Sequence, residues 1–258
     1  MSQTQEKYMY GQGKVKLAEI LANGSYGPWG WLGDVSALEG SFAESEVSHR
    51  ESYSGRKAKV RSWMTETELT WSATIHQLNV DGVARFTQGR ITEGAQGTVT
   101  GEAFPADLVA GDVVTLEHPG ISNLVITDSS GTPATLDPEH YEYDAYGNVT
   151  ILSLPSLAPT QPFSASYSHA ATRQVAMLAG PRKQYALRYE GINLAENNQP
   201  IILELYKLSP GLLQTLSMIT SGNQLAGAPV TFTSLLDTSK PANGPLGQFG
   251  RLIEIELP

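Results

Sequence analysis

The sequence predicts a mainly β protein in which a second, smaller β domain interrupts the first. Only 17% of the 258 residues are charged, against about 25% in an average globular domain. Uncharged polar residues and Gly take their place, which favours exposed sheets and turns over long charged helices. Apolar and polar residues also alternate along several segments, as they do in strands with one buried face. The net charge of −9 is concentrated in one part of the chain.

The acidic part runs from residue 103 to residue 172. It contains eight of the 26 acidic residues and none of the 17 basic ones, so the remainder has 18 acids and 17 bases. Such a sharp change in charge indicates a domain boundary. We therefore predict a discontinuous domain formed by 1–102 and 173–258, and an inserted acidic domain at 103–172. The chain lacks the basic footprint of sequence-specific nucleic-acid binding.

Composition excludes several classes of site. The chain has no cysteine, which rules out disulfides, zinc–thiolate centres and cysteine nucleophiles. Its first residues do not form an apolar run after a basic start, and no stretch approaches eighteen consecutive apolar residues. These features predict a soluble protein made in a cytoplasm, with no membrane contact and no cofactor.

The first domain opens with three predicted strands and a helix. Alternation predicts strands at Lys14–Leu21 and Gly33–Phe42, which are separated by a turn cluster rich in Gly and Asn. The clearest strand is Thr65–Leu78. Asn79 is then a candidate cap for a short helix that ends at Gly89.

The strand Thr65–Leu78 has one apolar face and one polar face. Because strand side chains alternate between faces, one side is expected to be packed while the other meets water. The apolar side comprises Leu69, Trp71, Ala73 and Ile75, and the polar side Glu68, Thr70, Ser72, Thr74 and His76.

The acidic block has its own strand pattern. Short strands are predicted at Val109–Leu116, Asn123–Thr127 and Phe163–Ser168, and a hairpin at Tyr141–Ile151 turns through Gly147. Several short strands with turns between them indicate a small β-sandwich.

The chain then returns to longer strands. Strands are predicted at Gln174–Leu178, Gln184–Asn193, Pro200–Leu208, Pro229–Thr233 and Leu252–Leu257, and a second helix at Leu212–Ser221.

The segment between the second and third strands is polarised in charge. Glu44, Glu46 and Glu51 come first, and a basic run follows, with five bases among residues 50–61. Ser, Tyr and Gly interrupt the run, and acids precede it, which favours a solvated hairpin at an interface over a DNA-binding patch.

Four stretches together resemble a known family. They are the Gly-Asp-Val-Ser turn at Gly33–Leu38, the segment His49–Gly55, and the returning strands Leu187–Asn193 and Pro200–Tyr206. In this order, with the alternating strand and short helix between them, they resemble the major tail tube protein of long-tailed, siphovirus-like bacteriophages. The acidic block resembles the immunoglobulin-like domain that some tail proteins carry. The resemblance implies a tail-tube β-sandwich or barrel with one short flanking helix, and an inserted small immunoglobulin-like β-sandwich.

The resemblance also implies a function. Such proteins form hexameric rings that stack into a hollow tube, a conduit through which viral DNA passes without specific binding. The expected location is the virion tail, assembled in the host cytoplasm, with tail terminator, tape measure and distal tail proteins as further partners and no enzymatic activity. Ser45–Lys59 would be the inter-ring loop, with complementary charges giving register between rings. The inter-ring candidates are Glu44, Glu46, Arg50, Glu51, Arg56, Lys57, Lys59 and Arg61, and the lumen-facing candidates Glu66, Glu68, Thr70, Ser72 and Thr74.

Two other classes of protein remain open. A carbohydrate- or cell-surface-binding adhesion module could use the four tryptophans as a platform, or present the acidic domain to glycans; packing in a core or interface explains them as well. A hydrolase is disfavoured because the five histidines are scattered, without a triad signature. The acids around His140 do not have the spacing of a calcium loop, and turn chemistry explains them better. The relevant residues are Trp29, Trp31, Trp63 and Trp71 for the platform, and Asp137, Glu139, His140 and Asp144 for a metal.

Overall fold

The computed structural model describes residues 6–155, 159–221 and 225–256. Over these residues the chain has sixteen strands, one α-helix and one 3-10 turn, and the predicted mainly β class is confirmed. In chain order the elements are β1 (Gly11–Glu19), β2 (Gly30–Trp31), β3 (Val35–Arg50), β4 (Lys59–Ile75), α1 (Val80–Phe86), β5 (Arg90–Gly94), β6 (Gly97–Ala103), β7 (Val113–Thr115), β8 (Ile121–Thr127), the 3-10 turn (Pro138–His140), β9 (Tyr141–Tyr143), β10 (Asn148–Ile151), β11 (Ser164–His169), β12 (Thr172–Ala176), β13 (Tyr185–Asn193), β14 (Gln199–Pro210), β15 (Ala228–Ser234) and β16 (Gly250–Glu254).

The chain forms two compact units. The first consists of Met1–Arg90 with Val175–Pro258, and the second of Ile91–Gln174. The second unit therefore begins well before Ala103, which is a correction to the boundary predicted from charge. Strand β6 pairs with β11 and belongs to the second unit. The stretch without Lys or Arg already begins at Ile91 and includes Glu93 and Glu102, so the predicted boundary was placed one strand too far along the chain.

The first unit is built on one antiparallel sheet with the strand order β2-β1-β13-β14-β15-β4-β3. Strand β16 pairs with the first half of β14, and β15 pairs with its last residues. One face of the sheet carries the hydrophobic core, and the opposite face, called here the polar face, carries Lys16, Arg188, Glu204 and Arg251. The core comprises Val15, Leu17, Leu32, Ala73, Ile75, Phe86, Tyr185, Leu187, Leu205, Leu208, Val230 and Phe232.

Helix α1 covers part of the core face. Its N-cap is Asn79, as predicted, whose side chain accepts a hydrogen bond from the Gly82 amide at 2.8 Å. Phe86 at the end of the helix is fully buried and meets the ring of Phe232 edge to face, with centroids 5.7 Å apart. The helix is too short to be stable alone, so this packing holds it in place.

Strands β3 and β4 form a hairpin much longer than the sequence suggested. Their pairing runs from Val35 opposite Ile75 to Arg50 opposite Lys59, which leaves only residues 51–58 as a loop. The prediction of a loop over Ser45–Lys59 is therefore wrong in its extent. Both faces of this part of the hairpin are exposed, so its residues need not alternate between apolar and polar, and the pattern that marks a strand is missing.

The second predicted helix is absent. Residues 212–221 have no regular secondary structure, and Met218 and Ile219 are among the most exposed apolar side chains of the described residues. The apolar spacing of this segment suits a helix, but a helix gains most of its stability by packing an apolar face. Here only the beginning of the segment packs, where Leu213 lies against the core and its amide donates to the Phe86 carbonyl at 2.7 Å.

The second unit contains two three-stranded antiparallel sheets, β7-β10-β9 and β6-β11-β8. Both sheets contribute to one hydrophobic cluster, which includes Val149 and Ile151 from the first sheet and Ile126 and Ala165 from the second. The hairpin predicted around Gly147 is confirmed as β9 and β10. The immunoglobulin-like assignment of this unit stays a prediction.

Candidate self-association surfaces

Residues 42–69 form the projecting hairpin, the part of β3 and β4 that extends beyond the packed sheet. From Phe42 to Arg50 one arm has nine residues, which corresponds to a reach of about 30 Å at roughly 3.3 Å per residue. An isolated two-stranded ribbon is only marginally stable in water. This one nevertheless exposes six large apolar side chains, each between 46% and 85% accessible: Phe42, Val47, Tyr53, Val60, Trp63 and Met64.

The apolar residues lie on both faces of the projecting hairpin. Val47 is directly opposite Trp63 on one face. On the other face Phe42 meets Trp71 edge to face, with ring centroids 6.4 Å apart. Exposed apolar side chains therefore occur on each face of the ribbon, from Phe42 beside the packed sheet to Tyr53 in the tip. Exposed apolar side chains in this number make the hairpin a candidate association surface.

The charged residues of the hairpin partly pair within it. Lys59 contacts Glu46 through its Nζ atom, and this hydrogen bond, with a further one from Ser62, lowers the pKa of Glu46. Arg50 donates from Nη1 to the Lys57 carbonyl at 3.2 Å. Glu46 and Lys59, both predicted as inter-ring residues, thus lie against each other in one chain. The remaining predicted residues on this ribbon, Glu44, Arg56, Lys57 and Arg61, are exposed.

The carboxylate of Glu51 organises the tip. Its Oε2 accepts hydrogen bonds from the Tyr53 amide at 2.9 Å and the Ser54 amide at 2.7 Å, and its Oε1 accepts from the Ala58 amide at 3.4 Å and from the Ser54 hydroxyl. The side chain is buried. Glu51 was predicted as an inter-ring residue, and the structure turns its carboxylate inward, where it closes the loop of its own hairpin.

We expect acid to loosen this tip. The Ser54 hydroxyl, followed by backbone amides of the loop, lowers the pKa of Glu51 below its ordinary value. Because the pKa of Glu51 is lower in the folded tip, the stabilisation that its carboxylate gives to the loop is complete above the ordinary pKa of a glutamate. It is lost as the pH falls through the lowered pKa. In an NMR titration from neutral pH downward, the amide resonances of Ser54 and Ala58 should shift together at low pH. The Glu51→Gln variant should show altered resonances already at neutral pH, and a wild-type tip unchanged by acid would contradict this assignment.

The lumen-facing candidates lie in one line on β4. Leu69, Ala73 and Ile75 are buried on the core face, so the predicted alternation is confirmed. The opposite side of β4 belongs to the polar face, where Glu66, Glu68 and Ser72 are exposed and Thr70 and Thr74 are half-buried. The structure thus brings all five candidates to one side of the sheet.

The polar face also carries a row of ion pairs that the sequence did not reveal. Lys16, Arg188, Glu204 and Arg251 are direct neighbours across β1, β13, β14 and β16. Lys16 Nζ lies 2.6 Å from Glu190 Oε2, and Arg188 Nε lies 2.8 Å from Glu190 Oε1. Arg251 Nε lies 2.7 Å from Glu204 Oε2, while Arg188 Nη1 contacts Glu204 Oε1. We call these five residues the ion-pair row.

Strand β3 lies at one end of the sheet with its outer edge open. It has sixteen residues, and among the described residues it pairs only with β4. At the opposite end β2 pairs with β1 only at Lys16 and Leu17, so the outer edge of Gly11–Lys14 is open as well. Unpaired backbone N–H and C=O groups along an edge are a template for pairing with another chain.

The tryptophans do not form one platform. Strand β2, which carries Trp31, and β4, which carries Trp63 and Trp71, lie near opposite ends of the strand order. Trp71 packs at the core, Trp63 belongs to the projecting hairpin, and Trp29 lies against Tyr26 with centroids 5.8 Å apart. Among the described residues, no ring contact joins two of the tryptophans, so the structure adds no support to the sugar platform considered from the sequence.

The acids near His140 are used in turns. Asp137 accepts from the Glu139 amide at 3.2 Å, and Asp144 accepts from the Tyr146 and Asn148 amides at 2.8 and 2.9 Å. Within the ranges that the structure describes, no group of His, Asp and Glu has a metal-binding arrangement.

These features define a two-unit β protein with a projecting apolar hairpin and two open sheet edges. Residues 8–253 match the family described as protein of unknown function UCP028589, and the chain belongs to that family. No curated protein matches the sequence. Among the described residues, no helix has both the length and the apolar character needed to cross a membrane.

Proposed function

We propose that this protein is the tube subunit of a phage tail, which assembles into hexameric rings that stack around a channel for DNA. The observation that carries the proposal is the projecting hairpin, which exposes six large apolar side chains on a ribbon about 30 Å long. Such a ribbon is costly for a protein that remains a monomer in water. Contact with another copy would cover both of its faces.

The open edges support contact between neighbours within a ring. Strand β3 at one end of the sheet and Gly11–Lys14 at the other each offer unpaired backbone groups. Pairing the edge of one copy with the opposite edge of the next is a head-to-tail contact, and such a contact closes into a ring when the rotation permits. Six copies per ring is the number that the resemblance to tail tube proteins implies.

The hairpin supports contact between rings. It reaches well beyond the sheet, and its tip is held in one shape by Glu51. The exposed bases Arg56 and Lys57 lie in that tip. In this arrangement the polar face, with Glu66 and Glu68, lines the channel, and exposed carboxylates there repel DNA phosphates. The protein would be located in the virion tail, where tail terminator, tape measure and distal tail proteins are further proposed partners.

Negative-stain microscopy of the purified protein, together with light scattering across a concentration series, tests this function. Rings or tubes of uniform diameter are expected, and the fraction assembled should rise with concentration. A protein that stays monomeric at high concentration and binds glycans on an array would contradict the tube and favour an adhesion module.

A further inference from the structure

The ion-pair row brings three cations and two carboxylates together on the polar face. Each carboxylate contacts two cations: Glu190 lies between Lys16 and Arg188, and Glu204 lies between Arg188 and Arg251. We infer that the row is a masked polyanion-binding surface, on which Glu190 and Glu204 occupy the cation sites that DNA phosphates would otherwise take. This inference rests on the proposed function, because it names how the channel wall avoids retaining DNA.

The geometry suits a phosphate-binding surface. Arg251 and Arg188 each direct a guanidinium N–H at a carboxylate oxygen, the same donor geometry with which arginine binds phosphate. The three cations come from β1, β13 and β16 and lie in one row across the sheet. Without the two carboxylates the row would present three positive charges; with them its net charge is one.

Stability alone does not account for the row. Lys16, the two arginines and Glu190 are between 29% and 39% accessible, so the contacts of Glu190 lie close to water, whereas Glu204 is more enclosed at 18%. Ion pairs of this exposure typically contribute only about 0 to 1 kcal/mol each. The effect on the local electrostatic potential matters more for function, because a strip of unpaired cations on an exposed surface attracts and holds a polyanion.

The Glu190 part of the mask also persists in moderately acidic solution. The hydrogen bonds from Lys16 and then Arg188 lower the pKa of Glu190, so this carboxylate stays ionised in moderately acidic solution. The hydrogen bond with Glu204 raises the pKa of Arg251, which remains charged throughout. Glu190 therefore keeps its contacts with Lys16 and Arg188 as the solution becomes moderately acidic.

The test compares two double variants with the same change in net charge. E190Q/E204Q removes the mask, whereas E117Q/E142Q removes two exposed carboxylates of the second unit, which has no role in the proposed channel wall. Fluorescence anisotropy with a short labelled DNA duplex is measured on each full-length protein, at a protein concentration where light scattering shows monomers. A melting curve verifies that each variant is folded.

E190Q/E204Q should bind DNA at least about tenfold more tightly than the wild type, and the salt dependence should steepen by about two to three in log–log slope. Adding Arg188→Gln to this variant should reverse most of the gain. Equal gains in the two double variants, or no gain in either, would overturn the masking. Because the assay uses monomers, its outcome does not depend on whether the protein forms tubes. If E190Q/E204Q gains DNA affinity but the wild type forms no tubes, the masking stands and only its proposed role in a channel is lost.

Discussion

Shortening the projecting hairpin is expected to abolish assembly while leaving the packed sheet intact. The change replaces residues 44–67 with an Asn-Gly turn, so that Ala43 and Glu68, which are directly paired, become the last pair of a tight hairpin. The segment removed contributes no residue to the hydrophobic core, and its one buried side chain, Glu51, lies in its own tip. Microscopy should show no rings or tubes, and size-exclusion chromatography should show a folded monomer.

A smaller change with a matched control separates the apolar contact from hairpin length. The Val47→Thr/Trp63→Thr double variant removes one exposed cross-strand pair and should weaken assembly strongly. The Val113→Thr/Val125→Thr double variant changes two exposed strand residues of the second unit and should assemble normally. Normal tubes from the shortened hairpin, or equal defects in the two double variants, would contradict an interface on the hairpin.

The Phe232→Ala substitution should destabilise the first unit by about 3 to 5 kcal/mol. The ring of Phe232 is fully buried and packs edge to face on Phe86, so its removal leaves a cavity between the sheet and α1. The loss also releases the helix, which has few other buried side chains. Urea unfolding followed by tryptophan fluorescence measures the change, because all four tryptophans belong to the first unit.

Phe42→Ala is the matched control for this substitution. Phe42 has the same side chain but is 74% exposed, so the midpoint should move little in the monomer, within about 1 kcal/mol. The second unit has its own hydrophobic cluster and can unfold separately, so its transition is followed by circular dichroism. Similar losses of unfolding free energy in Phe42→Ala and Phe232→Ala would contradict the core assigned to the first unit.

Strands with one buried face could be predicted from the sequence, whereas strands with both faces exposed to solvent could not. The alternation in Thr65–Leu78 marked the inner part of β4, because Leu69, Ala73 and Ile75 had to be apolar to pack. The same strand begins at Lys59, where nothing is buried and the sequence shows no period. Its pairing with β3, rather than any burial of its own side chains, extends it to that residue.

The surfaces were predictable only in part. The charge polarity around Glu46 and Lys59 was visible in the sequence, but not their contact within one hairpin. The ion-pair row could not be found at all, since Lys16, Arg188 and Arg251 are far apart in sequence. Their meeting depends on the register of three separate strand pairings, and a shift of one residue would send each side chain to the other face.

The second unit is joined to the first through a pair of strands. Strands β5 and β12, at the beginning and end of the insertion, pair with each other, and Arg173 lies 3.6 Å from Glu93 across the pair. The two crossing points of the chain are therefore side by side, as the termini of an independent domain often are. The first unit requires only that the chain leave and return at neighbouring positions, which the paired strands β5 and β12 provide. A different domain whose N- and C-termini lie side by side could therefore replace the second unit at this insertion point without changing the strand order of the first.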